Sequence, residues 1–307
     1  MKRIWDRLAG YFFLLPNGLG FLTFTLLPIV GCLLLSFVNW DGLSSLREAR
    51  SVGFANFWET IGFGWHGGRL VAKDLYFWRY LYNTGFLMMT IPVGMCLSLG
   101  AALLLNQGLR GTTAFRAIFF LPTMCPIVAV CVIWRWILND EYGPINTVLM
   151  RLGMGHPPGW LGDPTWAKPA IMMMLLWIGI GGYNCILYLA GLQNIPQELY
   201  EAASLDGAGS WSRFRHITWP MLSPTTFFIF TMGLITGLQG GFTPAFLMTG
   251  GGPGGATTTL SYYIYNNAFV FYGTMGKAAA MAWVLFVLIL GATILNWRYH
   301  QRVVHYG

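Results

Sequence analysis

Charged side chains are scarce in this chain. Only 9% of the 307 residues are charged, whereas 55% are hydrophobic, and soluble domains carry roughly 25% charged residues. This composition excludes an ordinary soluble domain and predicts a protein that lies in a lipid bilayer. The net charge of +7 does not indicate nucleic-acid binding, because the basic residues form no stripe interleaved with aromatic ones.

Cysteine and histidine are also few, with five of each. All the cysteines lie inside apolar runs without CxxC spacing, which favours small packing residues over disulfides or metal ligands. The histidines are scattered over loops and the tail without metal-ligand spacing. We find no nucleophile paired with a base in an apolar pocket. The sequence therefore predicts no metal site, no catalytic residue and no enzyme.

Acidic residues are missing from the apolar runs. All eleven carboxylates lie in loops or at the ends of runs, whereas proton-coupled transporters usually carry acids within the membrane. A phosphate-binding loop is absent too. The glycine-rich residues 250–255 lack the Gly-Lys-Ser/Thr sequence of such a loop. We therefore expect this chain to bind no nucleotide and no other cofactor.

Long apolar runs are what the sequence has instead. A membrane-spanning helix needs about 20 apolar residues, and six runs approach or exceed that length. They cover residues 11–38, 82–105, 117–138, 169–192, 221–248 and 278–297. The first follows Lys2, Arg3 and Arg7 but is too long for a cleaved signal sequence. The pattern predicts an all-α integral membrane protein with six transmembrane helices, organised as a single domain over residues 1–307.

The distribution of charge predicts the orientation. With the N-terminus inside, the inner segments hold nine Lys/Arg against four acids, and the outer segments hold eight against seven. By density and net charge this favours cytoplasmic N- and C-termini. The long outer loop between residues 39 and 81 disperses Trp and Phe among glycines, which predicts short interfacial helices. Internal prolines, including Pro122, Pro126 and Pro224, favour a translocation pathway over a passive anchor.

One polar segment, residues 193–220, is expected to be cytoplasmic. The sequence Glu201-Ala-Ala-Ser-Leu favours a short helix, and its small residues would let a partner approach closely. Gly207 can adopt the positive φ of a sharp corner. A second short helix should follow, with Arg213 and Arg215 exposed. The alternative is an amphipathic helix lying on anionic lipid, although lipid binding would not require the glycine corner.

This segment resembles the coupling loop of ABC-importer permeases, which carries a Glu-Ala-Ala triplet, a following glycine and a later Ile-x-Leu-Pro. Trp219 stands where that family usually has leucine. Further similarity to the carbohydrate-uptake branch, and within it to the maltose-type first membrane subunit, lies in residues 52–57, 82–84, 102–106, 119–122 and 247–253.

The resemblance implies the type I ABC importer permease fold, and it implies partners. These are a second homologous permease subunit, a cytoplasmic ATPase dimer that uses the ATP, and an extracytoplasmic sugar-binding protein, all at the inner membrane of a bacterium or archaeon. Docking of the ATPase would fall to Glu201, Ala202, Ala203, Asp206 and Gly207. The cargo would be a sugar, a polyol or glycerol phosphate. A stand-alone secondary transporter and a membrane enzyme are the competing classes.

A candidate substrate path lies on the fourth and fifth runs. Neutral amides, hydroxyls and aromatic faces suit a polyhydroxylated ligand, and Thr236 and Gln239 are three residues apart on one helical face. The resemblance places a family contact at Tyr183, whereas two family asparagines correspond to glycines here. As an alternative, Thr236 and Gln239 are packing residues that bond across helices. The predicted path consists of Trp177, Tyr183, Asn184, Thr236 and Gln239.

Overall fold

The computed structural model describes residues 2–107 and 111–303, and most of them are helical. Two compact units emerge, one formed by Met1–Trp78 with Ile264–Phe286 and the other by Arg79–Tyr263 with Val287–Gly307. The prediction of a single domain over residues 1–307 stays a prediction.

The first unit begins with a long apolar helix. Its described residues form α1 (Lys2–Phe21), a π-helical turn (Leu22–Leu26) and α2 (Leu27–Leu35), then β1 (Val38–Asn39), a 3-10 turn (Leu46–Glu48), β2 (Arg50–Ser51), α3 (Ala55–Ile61), β3 (Phe63–His66), β4 (Arg69–Ala72) and the start of α4 (Leu75–Met88). The backbone stays right-handed helical through both junctions of the π-helical turn. The three segments therefore form one continuous helix.

The outer loop departs from the predicted interfacial helices. Between β1 and the start of α4 the described residues hold one α-helix, α3, and the flanking residues form two antiparallel pairs, β1 with β2 and β3 with β4. Gly67 and Gly68 connect β3 to β4 with φ of +56° and +78°, which fits a tight hairpin turn. In the turn after β1, the Asp41 carboxylate accepts hydrogen bonds from Ser44 and from Leu43 N. The bond from the Ser44 hydroxyl contributes most, and together these bonds lower the pKa of Asp41 to about 2.

Two buried polar side chains, Asn56 and Asp74, connect segments of this unit. Asn56 Nδ2 donates to the carbonyls of Ser36 (2.9 Å) and Val38 (3.0 Å), just beyond the end of α2. Asp74 caps α4 by accepting from Phe77 N at 3.0 Å, and its Oδ2 lies 2.6 Å from Lys277 Nζ. Because Asp74 is buried, Lys277 neutralises a charge that water cannot reach.

The second unit carries most of the helices. After α4 come α5 (Thr90–Leu105), α6 (Thr112–Met124), α7 (Ile127–Ile137), α8 (Pro144–Arg151), α9 (Pro164–Ile180), α10 (Tyr183–Gln193), α11 (Gln197–Leu205), α12 (Ser210–Arg213), α13 (Trp219–Met221), α14 (Ser223–Gln239), α15 (Phe242–Pro244), α16 (Leu260–Tyr265) and α17 (Met275–Val303). Three π-helical turns lie among them, at Phe214–Thr218, Ala245–Thr249 and Asn266–Val270. Helices α16 and α17 also extend into the first unit.

Four helices within residues 2–107 and 111–303 are long and apolar enough to cross a membrane: Phe12–Leu35, Leu75–Leu105, Pro164–Gln193 and Met275–Arg298. Two further pairs pass the same test but are bent, Ala114–Met124 with Ile127–Ile137 by 97° and Ser210–Met221 with Ser223–Gln239 by 61°. The chain therefore has four candidate spans, or six if each bent pair is one span. Residue 1 and residues 304–307 lie outside the described residues, so the predicted cytoplasmic termini stay a prediction.

Proline and glycine account for the differences from the predicted runs. Pro126 breaks the third run because a residue before proline avoids the helical region, and Cys125 is extended there, with ψ of 136°. The fifth run was expected to continue to residue 248, but its helix ends at Gln239. Gly240 is extended, and Gly241 adopts φ of +81°.

Replacing Lys277 with Ala should destabilise the protein by about 3 kcal/mol, because the buried Asp74 carboxylate would lose its counter-charge. The matched control is Lys73→Ala. Lys73 is exposed and lies 5.7 Å from the centre of the Trp58 ring, a contact worth about 0.5–1 kcal/mol. Thermal unfolding of the purified protein in detergent should show the larger loss for Lys277→Ala. Equal losses would mean that the ion pair contributes little.

Candidate coupling loop and translocation path

Helix α11 forms the first half of the predicted coupling loop. It begins at Gln197, directly after Pro196, which has no N–H to leave unpaired at a helix start. Since the helix ends at Leu205, Glu201 lies at its centre rather than at its start. The end is capped by Gly207, whose φ is +75°. Gly207 N donates to Ser204 O at 3.1 Å and Ala208 N to Ala203 O at 2.8 Å, the two bonds of a Schellman cap. The predicted glycine corner is confirmed.

The second half of the loop is tied back to the first. Tyr200 Oη lies 2.9 Å from Thr218 Oγ1, and Thr218 is buried. Arg213 Nη1 donates to Ser204 Oγ at 3.1 Å. Arg213 is therefore half-buried rather than exposed as predicted, while Arg215 is exposed. These bonds tie α11 to α12 and to the π-helical turn that follows α12.

The loop exposes both polar and apolar groups. Glu201, Ala202 and Asp206 are exposed and Ala203 is half-buried. Leu205 is 90% exposed and Trp211 is 71% exposed, an unusual state for side chains whose burial would contribute roughly 1.5–3 kcal/mol. Sequence reasoning missed both residues, although a leucine just before the glycine corner was a usable signal. Together these side chains form a surface suited to a protein partner.

Four of the five predicted path residues line two neighbouring cavities. The first, of about 450 Å³, is lined by Thr236 and Gln239 near the end of α14. The second, of about 480 Å³, is lined by Tyr183, Asn184 and again Thr236. Trp177 lines neither of them. Its ring packs edge-on against Trp134 at 5.8 Å, so its predicted contact with substrate stays a prediction.

Two threonines that line the cavities donate their hydroxyl protons to nearby backbone carbonyls. Thr236 Oγ1 donates to Met232 O at 2.8 Å within α14, so its hydroxyl is satisfied without a partner on another helix. Thr90, which lines both cavities, donates to Leu87 O at 2.7 Å. Sequence reasoning missed Thr90, because a threonine inside an apolar run gives no signal until the facing helix is known.

Two glycines of α14, Gly233 and Gly237, explain how closely the helices pack around the cavities. A Cβ on Gly233 would lie 2.8 Å from Ile91 Cγ2, and one on Gly237 would lie 2.9 Å from Ile91 Cδ1. These distances are shorter than carbon–carbon contacts allow. Helix α14 can therefore approach the start of α5 only where it lacks side chains.

The glycine-rich loop at residues 250–255 is held by the polar face of α4. Asn83 Nδ2 donates to the carbonyls of Gly255 (3.0 Å) and Thr258 (2.9 Å). Thr84 Oγ1 accepts from Leu260 N at 2.9 Å, and Arg79 Nη2 donates to Gly254 O at 2.8 Å. The segment 82–84, which resembles the permease family, is thus bonded to residues 255–260, directly after the second family-like segment at 247–253.

Comparison with known structures identifies the architecture. The structure matches that of a bacterial alginate ABC transporter in complex with an alginate pentasaccharide-bound periplasmic protein, with a TM-score of 0.84, 24% identity and coverage of 100% of this chain and 98% of that chain. The architecture is thus that of a type I ABC importer permease, a multi-pass membrane protein.

Sequence comparison then identifies the family. The chain belongs to the binding-protein-dependent transport system inner membrane components, whose model matches residues 94–305. It is 34% identical to the lactose transport system permease protein LacF of Rhizobium radiobacter, covering 96% of this chain and 95% of that protein. It is also 34% identical to the trehalose/maltose transport system permease protein MalF of Thermococcus litoralis, covering 93% and 91%. Such proteins are transport components rather than enzymes.

Replacing Asn83 with Leu should loosen the glycine-rich loop, because two carbonyls would lose their donor at a cost of about 1–3 kcal/mol each. Hydrogen exchange followed by mass spectrometry should show faster exchange over residues 250–260. Gly85→Ala is the matched control, since Gly85 lies two residues further along α4 and a Cβ there meets nothing within 4 Å. Unchanged exchange in Asn83→Leu would show that the loop holds itself.

Proposed function

We propose that this chain is the transmembrane permease subunit of an ATP-driven, binding-protein-dependent importer of a sugar or related polyol. The observation that carries the proposal is the exposed, glycine-cornered loop from Glu201 to Gly207 in a chain of this family. A stand-alone secondary transporter has no use for such a loop. Among the residues described, no group of three or more His, Cys, Asp or Glu could hold a metal ion.

The proposed partners follow from the relatives and the loop. A cytoplasmic ATPase dimer would dock on Glu201, Ala202, Ala203, Asp206 and Gly207, with the exposed Leu205 and Trp211 beside them. The ATPase would use the ATP, and this chain would bind no cofactor. A second, homologous permease would complete the pathway, and an extracytoplasmic binding protein would deliver the cargo, as the periplasmic protein in the alginate complex suggests.

The proposed topology is six spans in the inner membrane of a bacterium or archaeon, with both termini cytoplasmic. Each bent pair of helices would count as one span. In this orientation the loop of residues 193–220 faces the ATPase and the glycine-rich loop faces the binding protein. The positive charges at residues 2, 3, 7, 298 and 302 support the orientation.

Replacing Gly207 with Val should uncouple ATP hydrolysis from transport, because a β-branched residue is strained at φ of +75°. Glu201→Lys should do the same by reversing the charge at the proposed docking surface. In proteoliposomes containing the whole importer, we expect ATP-dependent uptake to fall about tenfold or more in each variant, which corresponds to at least 1.4 kcal/mol of coupling.

Gly209→Val is the matched control for the glycine corner. Gly209 has an ordinary φ of −70°, and a Cβ there meets nothing within 4 Å. Its uptake should stay close to that of the unmodified protein. Normal uptake in both Gly207→Val and Glu201→Lys would contradict the assignment of the coupling loop.

Substitutions in the proposed path should lower transport without preventing assembly. Tyr183→Ala removes an aromatic face that is 74% exposed, and Gln239→Leu removes sugar hydrogen bonds worth about 0.5–1.5 kcal/mol each. Asn184 and Thr236 belong to the same proposed path, and Trp177 remains a proposed contact on sequence grounds. Uptake of labelled sugar, compared with co-purification of the ATPase, separates the two effects. If both variants transport normally, these residues are packing residues and the path lies mainly in the partner permease.

A further inference from the structure

An apolar groove of about 700 Å³ lies between α5 and the second half of the candidate coupling loop. It shares no lining residue with the two cavities of the proposed path. The residues on its α5 wall are spaced three and four positions apart, which places them on one face of the helix. They are Cys96, Leu99, Gly100 and Leu103. The groove is therefore a separate site on the same subunit.

The α5 wall lies at the end of a candidate membrane span, Leu75–Leu105. At about 1.5 Å per residue, residues 96–103 rise by about 10 Å, whereas one leaflet contributes about 15 Å of hydrocarbon. The wall is open, because Cys96 is exposed and a Cβ on Gly100 would meet nothing within 4 Å. In the proposed orientation the span ends at the cytoplasmic surface. The groove therefore faces acyl chains rather than water.

Aromatic rings form most of the opposite wall. Trp211 stacks on Phe214 with ring centres 5.6 Å apart, and the ring centres of Phe214 and Trp219 are 6.4 Å apart. Trp219 is 47% exposed, and Trp211 lies between the groove and the surface proposed for the ATPase. Tryptophan is favoured at the depth of the lipid headgroups. This row of rings therefore fits the boundary between acyl chains and headgroups.

Arg215 is the charged residue among those that line the groove. It is exposed, and no carboxylate within residues 2–107 and 111–303 pairs with it. Arg213, two residues earlier, donates to Ser204, so Arg215 is the more accessible of the two guanidinium groups. A guanidinium matches the geometry of a phosphate through two parallel hydrogen bonds. The groove thus complements a molecule that has a hydrocarbon chain and a phosphate.

We propose that an anionic phospholipid of the cytoplasmic leaflet occupies this groove. One acyl chain lies along residues 96–103 of α5, and the phosphate pairs with Arg215. Basic residues near the cytoplasmic surface attract anionic lipids, and each buried CH₂ group of the chain adds to the affinity. The lipid holds the second half of the loop at the membrane surface, while the first half stays free for a protein partner. The inference rests on the proposed function only for its orientation in the membrane.

A segment of the partner permease is the competing occupant. Such a segment would enclose Arg215 in an apolar interface, where a charge is costly unless a carboxylate comes with it. A phospholipid brings the apolar chain and the negative charge in one molecule, and it is present wherever the protein is. The chemistry of the groove therefore favours the lipid.

The test uses the whole importer in proteoliposomes that contain phosphatidylglycerol or phosphatidylcholine with a photoreactive diazirine in one acyl chain. After irradiation, mass spectrometry maps the labelled peptides. We expect labelling of residues 96–103 and 211–219, about fivefold stronger from phosphatidylglycerol, the preference that one basic residue near the surface gives. Labelling of other spans without these two segments would show that a protein subunit covers the groove, and would overturn the inference.

Gly100→Phe should fill the groove. Labelling of both segments should fall at least about tenfold, which the loss of two buried CH₂ groups would give. Gly291→Phe is the matched control, since Gly291 also lies in a candidate span and a Cβ there meets nothing within 4 Å. Its labelling of the two segments should not change. Equal labelling in Gly100→Phe and Gly291→Phe would show that the chain does not lie in the groove.

Variants at Arg215 test the headgroup. Arg215→Gln should make the labelling by the two lipids equal, and Arg215→Lys should retain the preference for phosphatidylglycerol. A preference that survives Arg215→Gln, or none in the unmodified protein, would contradict the pairing with phosphate.

Two further measurements separate the lipid site from its alternatives. Excess inorganic phosphate should not reduce the labelling, because the acyl chain supplies much of the affinity; displacement would indicate a site for free phosphate instead. ATP-dependent uptake of labelled sugars by the same vesicles tests the proposed function independently. Labelling of the groove without any such uptake would support the lipid site and count against the importer function, whereas uptake without labelling would reject the lipid site alone.

Discussion

The structure depends on how backbone polar groups are satisfied wherever a helix breaks among apolar side chains. A carbonyl left without a donor in such surroundings costs several kcal/mol. At one break a serine on a neighbouring segment supplies the bond, Ser261 Oγ to Gly240 O at 2.9 Å. At another, Ser98 Oγ donates to Gly179 O at 3.0 Å and adds to the bond that this carbonyl accepts from Gly182 N. The glycine-rich loop relies on Asn83 in the same way. A helix break whose carbonyl is hydrogen-bonded from a neighbouring segment is a stable part of the fold. The proposed path lies beside these breaks, because Gly240 lines the first cavity and Gly179 the second.

The candidate coupling loop obeys a different constraint, because it must keep its shape outside the apolar core. Its stability is local. The Schellman cap at Gly207, the Tyr200–Thr218 bond and the bond from Arg213 to Ser204 all lie within the loop itself. A loop fixed by its own bonds can pass a displacement from a docked partner to α14 through the 61° bend without first having to fold. This fits the proposed role as a link between ATP hydrolysis and the path.

Sequence reasoning succeeded where the controlling interactions are local. The glycine corner, the short helix before it and the long apolar helices follow from propensity, φ preference and run length. It was less accurate where a break decided the geometry. The pair of short strands around residues 63–72 was missed, and so was the 97° bend at Pro126, although Gly67-Gly68 and the proline were both visible signals. The signal was present in these cases, but apolar composition outweighed it.

Contacts between distant residues were out of reach. The pairing of Asn83 with residues 255 and 258 spans more than 170 positions, and no periodicity in the sequence encodes it. The same holds for Thr90, which becomes a candidate site residue only because α14 packs against the start of α5. Arg213 was predicted to be exposed because a short amphipathic helix usually directs its charged side chains toward solvent. Instead, its guanidinium donates to Ser204, nine residues earlier. Residue types and their spacing predicted the helices, whereas the cavities depend on how those helices pack against one another.

The close approach at Gly237 also limits how this protein can evolve. A side chain at this position would meet Ile91 Cδ1 at 2.9 Å and Met88 Cγ at 3.0 Å, so one of these neighbours must shrink or move before a polar group can enter the path there. A new cargo contact at residue 237 therefore requires Ile91 or Met88 to change rotamer or to be replaced by a smaller residue, and either adjustment carries a packing cost. Packing thus couples the side chains that residues 88, 91 and 237 can carry.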